Sequence, residues 1–220
     1  MNYKIGASLA CANQLNLEKD IGSLINCGID ILHIDIMDGV FVENYCFGTS
    51  LFDNLKISKN VEIDVHLAVC DPYKKIDFFK DKLINGLSFH IEASNNPIQT
   101  VDKIKKLGIK CGIAINPSTH ENTIEYLYEY ADYFLVMAVE PGFAGQDFVK
   151  STALKVKNIR KQLEKRKIIK DIYIDGHVDE RTVFILSKAG ANVFIGGSAG
   201  LFKKNSELKD NYNKLKGSLF

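Results

Sequence analysis

Four side chains in the sequence are of types that could share one piece of chemistry: His33, Asp35, His66 and Asp175. Two imidazoles and two carboxylates form a donor set suited to a divalent ion such as Zn2+, Mn2+ or Fe2+, all of which accept mixed nitrogen and oxygen ligation. The first two lie in His33-Ile34-Asp35-Ile36-Met37-Asp38-Gly39. Alternation along a strand turns His33, Asp35 and Met37 to one face and Ile34 and Ile36 to the other. Taken singly, each histidine reads more simply as a satisfied core or surface residue. Burying all four without mutual compensation is costly, so their convergence argues for a shared ligand or for proton transfer. Spacing alone leaves both the metal reading and the separate-residue reading open.

What must bring these residues together is an alternation of short β-type runs with longer amphipathic segments. The patterns predict strands at 5–9, 29–35, 61–67, 86–90, 110–115, 133–139, 170–174 and 193–195. Helices are predicted at 15–27, 50–55, 71–83, 97–107, 117–130, 152–165, 179–189 and from 206 onward, several closed by Gly or opened by Pro. Strand followed by helix, repeated in this way, is the pattern of a (β/α)8 TIM barrel. No linker or low-complexity run divides the chain, so residues 1–220 are expected to form one domain.

In such a barrel the functional end is the C-terminal end of the strands. Ser8, His33 with Asp35, Asp64 with His66, His90, Asn116, Met137 with Glu140, Asp175 and Gly197-Ser198 fall there. Two small-residue loops, Pro141-Gly142-Phe143-Ala144-Gly145-Gln146 and Gly196-Gly197-Ser198-Ala199-Gly200, offer backbone N–H groups for a phosphate. The second is expected at the start of a short helix. His177 reads equally as a solvated loop residue or a substrate contact, and His120 as a surface residue.

Composition excludes other classes. With 28 Lys and Arg against 27 Asp and Glu, and a net charge of +1, there is no electrostatic case for nucleic acid or a membrane surface as a partner. The five cysteines are odd in number and never form a C-x-x-C pair, as expected of reduced, mostly buried thiols. Met1-Asn2-Tyr3-Lys4 leads into a short apolar run unlike a signal peptide's, and no apolar run reaches about 18 residues, so neither a secretory leader nor a membrane span is expected. A cytoplasmic location is expected.

The motifs, taken in order, resemble the ribulose-phosphate 3-epimerase family over nearly the whole chain. Ala7-Ser8-Leu9 is similar to its opening segment, residues 33–39 to its H-x-D-x-M-D-G, and Asp64-Val65-His66-Leu67 to its D-x-H-L-M-V. Asn116-Pro117, Val136-Met137 with residues 141–146, Asp175-Gly176 and Gly197-Ser198-Ala199 resemble its later motifs. The resemblance implies a barrel of the ribulose-phosphate-binding type. It implies one divalent ion per subunit (Zn2+, Fe2+, Mn2+ or Co2+) on His33, Asp35, His66 and Asp175, with Asp35 and Asp175 as the acid/base pair. It implies substrate contacts from Ser8, Met37, Met137, Asn116 and His177. Gly142, Phe143, Ala144, Gly145, Gly176, Gly197 and Ser198 would hold the phosphate. The expected substrate is a small phosphorylated ketose, and a homo-oligomer is expected.

Two positions depart from the family pattern. Ala68 stands where a methionine is usual, which would open one wall of the pocket, and His177 replaces the second glycine of D-G-G. The P-G-F-A-G-Q variant and the ending from Phe194 to Phe202 look closer to the allulose-6-phosphate 3-epimerase branch, and the missing methionine would suit a longer sugar; ribulose 5-phosphate is the expected substrate, with allulose 6-phosphate as the alternative. A lyase of a related barrel group would carry a lysine between aspartates after the third strand. The run from Asp64 to Val69 has none. A non-catalytic sugar-phosphate binder is disfavoured by the retention of both Asp35 and Asp175.

Overall fold

The computed structural model describes residues 2–55, 57 and 60–219. Nine strands occur among them: β1 (Lys4–Ser8), β2 (Ile31–Asp38), β3 (Tyr45–Cys46), β4 (Glu62–Ala68), β5 (Gly86–His90), β6 (Lys110–Ile115), β7 (Tyr133–Met137), β8 (Asp171–Asp175) and β9 (Val193–Gly196). The sheet runs β1-β9-β8-β7-β6-β5-β4-β2, and β1 pairs again with β2, so eight parallel strands close into a TIM barrel. The two-residue β3 is an addition to the expected layout. It pairs antiparallel with the end of β2, Met37 opposite Cys46.

Among the described residues six α-helices cover the outside: α1 (Leu17–Cys27), α2 (Leu51–Asn54), α3 (Pro97–Lys105), α4 (Thr152–Lys165), α5 (Glu180–Ala189) and α6 (Leu208–Gly217). Helix α1 buries Ile21 and Leu24 and stops at Gly28, whose left-handed backbone (φ 86°) lets its N–H return to the last carbonyls. Asp179 opens α5 by accepting from the Thr182 N–H while the Thr182 hydroxyl accepts from the Asp179 N–H.

The structure departs from the expected elements at three helices and one strand. Segment 71–83 forms 3-10 turns, Pro72–Lys74 and Ile76–Phe79, and 117–130 holds a 3-10 helix, Glu121–Leu127. The buried residues explain this: Ile76 and Phe79, and likewise Glu121, Ile124 and Leu127, are spaced by three, the repeat that a 3-10 helix stacks on one side. The loop at 197–202 is closed by turns, with the Gly200 and Phe202 N–H groups both on the Gly197 carbonyl, and no helix begins there. Strand β2 starts later than expected and runs on to Asp38, because pairing with β4 continues as far as Met37 opposite Ala68.

Alternation along the strands produces two cores. Ile34, Val65, Leu87, Ile113, Phe134, Ile172 and Phe194 point outward to the helices, while Ile31, Ala114, Tyr133, Leu135, Tyr173, Val193 and Ile195 pack inside the barrel. His33, Asp35, Asp64, His66, Ser88 and His90 are also buried. Gly86 and Gly112 leave the space this requires: a β-carbon on Gly86 would lie 2.6 Å from Asp64 Oδ1, and one on Gly112 would collide with the Tyr133 ring. Among the described residues no helix is long and apolar enough to cross a membrane.

Candidate active site

Strands β2, β4 and β8 deliver His33, Asp35, His66 and Asp175 to the C-terminal end of the barrel. One potential ligand atom from each lies within 4.8 Å of all the others. His33 Nε2 is 3.5 Å from Asp35 Oδ1 and 3.7 Å from Asp175 Oδ2, and His66 Nδ1 is 3.0 Å from Asp35 Oδ1. The Ser8 hydroxyl donates to the other Asp35 oxygen at 3.0 Å.

Hydrogen bonding behind the histidines assigns their ring nitrogens. Asp64 Oδ2 accepts from His33 Nδ1 at 2.8 Å, so in the neutral ring the free lone pair is on Nε2. That Nε2 is buried and has no hydrogen-bond partner among the described residues. Behind His66 the order of nitrogens is reversed, with its Nε2 2.8 Å from His90 Nε2 and its Nδ1 turned toward Asp35. The free lone pair of each ring thus faces the carboxylates. A buried, partnerless nitrogen beside two carboxylates and a second imidazole fits a divalent cation, and these four residues would hold it.

The electrostatics divide the two aspartates. Burial opposes both charges, yet the neighbouring His33 and His66 hold Asp35 far below the usual carboxylate range. Asp175 is pushed upward, first by burial and then by the charge on Asp35. Although burial works against the imidazolium, the Asp35 and Asp64 carboxylates raise His33 well above its ordinary value. Cation binding would release such a proton, since imidazole ligates in its neutral form.

A cavity of about 390 Å³ opens over this group. Of the residues expected at the site, Ser8, Asp35, Met37, His66, Met137, Gly142, Phe143, Ala144, Gly145, Asp175, Gly176, His177, Gly197 and Ser198 line it. His33 lies fully buried beneath. Asn116 is not brought to the cavity. Its N–H donates to Glu92 and its carbonyl accepts from Lys155, so it ties strand ends together instead.

His177 occupies a left-handed backbone position (φ 47°), the conformation a glycine would take there without strain. Its Nδ1 donates to the Gln146 carbonyl at 2.6 Å, binding the loop after β8 to the 141–146 phosphate-loop candidate. Gly176 before it leaves no room for a side chain, because a β-carbon would sit 2.6 Å from Val139 Cγ2.

Sequence patterns did not reveal Cys11, Gln14, Asn44 and Phe47 as cavity-lining residues, whereas Glu140, expected at a strand end, does line the cavity. Cys11 and Gln14 stand in short 3-10 turns and Asn44 and Phe47 in loop, segments too short or irregular for periodicity to report direction. Asn44 donates to the Gly142 carbonyl at 2.6 Å and so braces the 141–146 loop from across the mouth. His90 was recognisable as a strand-end residue, but nothing in the sequence linked Glu92 or Tyr133 to the site.

Residues 4–202 match the family model described as the ribulose-phosphate 3 epimerase family. The chain is 36% identical over 208 residues to the ribulose-phosphate 3-epimerase of Helicobacter pylori strain ATCC 700392 / 26695, covering 93% of this chain and 94% of that one.

The chain belongs to the ribulose-phosphate 3-epimerase family.

It is accordingly a ketose-phosphate 3-epimerase family enzyme, an isomerase acting on carbohydrates, and a sugar-phosphate substrate is implied. A second relative, the ribulose-phosphate 3-epimerase of Bacillus subtilis strain 168, is 33% identical over 216 residues, 98% of this chain and 99% of that one. Among solved structures, orotidine 5'-phosphate decarboxylase from Pyrococcus horikoshii OT3 superposes with a TM-score of 0.69, covering 98% of each chain. At 14% identity that likeness is one of fold. The His33, Asp35, His66 and Asp175 group fits the metal centre of the epimerase family.

Proposed function

We propose that this enzyme interconverts ribulose 5-phosphate and xylulose 5-phosphate by moving the proton on C3 from one face of the substrate to the other. The observation that carries this reading is the position of Asp35 on β2 and Asp175 on β8, both lining one cavity with His33 between them. Inverting a carbon beside a ketone needs a proton acceptor on one face and a donor on the other, and two carboxylates on different strands meet that need.

In the forward direction ionised Asp35 takes the C3 proton. The C–H electron pair becomes the C2–C3 double bond, and the carbonyl electrons move to oxygen, giving an enediolate. Asp175, in its carboxylic acid form, returns a proton to the opposite face as the carbonyl re-forms. The reverse direction exchanges their roles. With no cation bound the two carboxyl groups are shifted in opposite directions, Asp35 downward and Asp175 upward. A divalent ion on His33, Asp35, His66 and Asp175 would supply positive charge beside the substrate oxygens as the enediolate develops.

Ser8 holds Asp35 through its hydroxyl, and Met37 and Met137 give the cavity apolar walls that limit water. Gly142 to Gly145, Gly176, Gly197 and Ser198 face the same cavity and are assigned to the phosphate. The names of the H. pylori and B. subtilis relatives support a pentulose phosphate. Ala68, fully buried on the same face of β4 as His66, does not itself line the cavity, and the methionine missing there remains the feature that favours a hexulose phosphate as the alternative substrate. The thiols, of which Cys111 alone is fully buried and Cys70 is exposed, suit a reducing compartment such as the cytoplasm.

The test is a comparison of kcat/KM for ribulose 5-phosphate and allulose 6-phosphate, with exchange of the C3 proton followed in heavy water. Faster turnover of ribulose 5-phosphate with exchange at C3 is expected. A preference for allulose 6-phosphate would reassign the substrate, and absence of exchange with both would overturn the reaction.

A further inference from the structure

Glu92 lies just beyond β5, outside the cavity, yet it ends a chain of hydrogen bonds that begins at a candidate metal ligand. Its Oε2 is 3.2 Å from His90 Nδ1, and His90 Nε2 is 2.8 Å from His66 Nε2. His66 Nδ1 then lies 3.0 Å from Asp35. The polarity of this chain follows from chemistry. An ionised carboxylate only accepts, so His90 Nδ1 carries the hydrogen, and in the neutral ring His90 Nε2 must accept. His66 therefore donates from Nε2 and keeps its lone pair on Nδ1, facing the site.

Packing fixes the same rings in space. His90 is fully buried, and the Phe41 ring lies 4.7 Å from it, centroid to centroid. The second Glu92 oxygen accepts from the Asn116 N–H at 2.8 Å, which anchors the carboxylate to the end of β6. Both oxygens are engaged, so the carboxylate has little freedom to turn away from His90.

We propose that His90 and Glu92 are positioning residues that act through His66: they fix its tautomer and ring angle so that Nδ1 is presented to a divalent cation. This inference rests on the metal-site reading above and deepens it. Neither residue touches the reacting atoms. Asp64 serves His33 from the opposite nitrogen, so the two histidine ligands are held by supports of different chemistry, a carboxylate directly for His33 and an imidazole backed by a carboxylate for His66. Hydrogen-bond partners behind metal-bound histidines typically affect metal affinity by about 10–100-fold.

The test measures metal binding directly, by titrating the apoprotein with Mn2+ and with Co2+ and recording the visible absorption of the Co2+ form. His90→Phe keeps an aromatic ring against Phe41 but leaves the His66 Nε2–H without an acceptor. The expected result is a dissociation constant raised about 10–100-fold with an altered Co2+ spectrum. His90→Gln, whose side-chain oxygen can accept that hydrogen, should recover most of the affinity. Glu92→Ala serves as a second variant where His90→Phe folds poorly, with weakened Co2+ binding expected. Wild-type affinity and an unchanged spectrum in Glu92→Ala and in folded His90→Phe would overturn the proposal, even with lowered thermal stability. Wild-type protein that binds neither ion would overturn the metal-site reading itself. Wild-type protein that binds Co2+ tightly but turns over no sugar phosphate would overturn the reaction while leaving the positioning role supported.

Discussion

Tyr133 donates its hydroxyl proton to Asp64 across the interior of the barrel, although their strands, β7 and β4, are separated in the sheet by β5 and β6. The contact passes over Gly86 and Gly112, one on each intervening strand. Asp64 in turn accepts from His33. A buried phenol thus holds a buried carboxylate, which orients a candidate metal ligand. Tyr133→Phe would leave an Asp64 oxygen without its donor, at a cost of about 1–3 kcal/mol. Urea denaturation should show that loss of stability, and an unchanged midpoint would mean that water replaces the phenol.

Asp175→Asn should retain the fold and lower epimerisation by about 10²–10⁴-fold, the range typical of a lost acid/base group. The amide can neither take up nor deliver the proton that inversion requires. Circular dichroism and single-turnover exchange in heavy water would check both halves. Turnover near that of the wild type would refute a two-carboxylate mechanism.

Chelation should abolish activity, and Zn2+, Fe2+, Mn2+ or Co2+ should restore it, because His33 Nε2 is a buried nitrogen without a hydrogen-bond partner among the described residues. Dialysis against a chelator, then assay with each ion in turn, decides the point. Full activity with no detectable metal in the protein would contradict the donor-set argument.

His177→Gly removes a left-handed, non-glycine backbone position and also the hydrogen bond to Gln146. The KM for phosphorylated ketose should rise several-fold as the 141–146 loop loosens, with faster amide exchange in that loop. An unchanged KM would show that the imidazole braces the loop without affecting the phosphate.

Stability should fall on acidification through Glu92. Burial raises its pKa, but hydrogen bonds from His90, Thr119 and the Asn116 N–H outweigh this and lower it from 4.5 to about 2. A carboxyl group depressed by folding contributes fully above its unfolded value and loses that contribution as pH falls toward the folded one. Glu92→Gln should flatten the pH dependence of unfolding free energy between about 4.5 and 2. The same acid slope in both proteins would assign it to other carboxylates.

The sequence by itself determined the barrel, the strand faces and the four candidate ligands. Those follow from local rules: alternation decides that His33 and Asp35 share a face, and apolar stripes with glycine caps mark α1 and its neighbours. Spacing by three in Ile76-Phe79 and Glu121-Ile124-Leu127 was also legible, though an α-helix was expected there. Only the tertiary structure decided which ring nitrogen each histidine presents, because that depends on Asp64 and His90, residues brought close by strand pairing. It also decided that Asn116 braces strand ends away from the cavity and that His177 holds a loop. These are contacts between loops whose direction no periodic pattern encodes. The Tyr133–Asp64 bond is the clearest case: it needs two strands held at fixed register on opposite sides of two glycines, a distance that exists only once the sheet has closed.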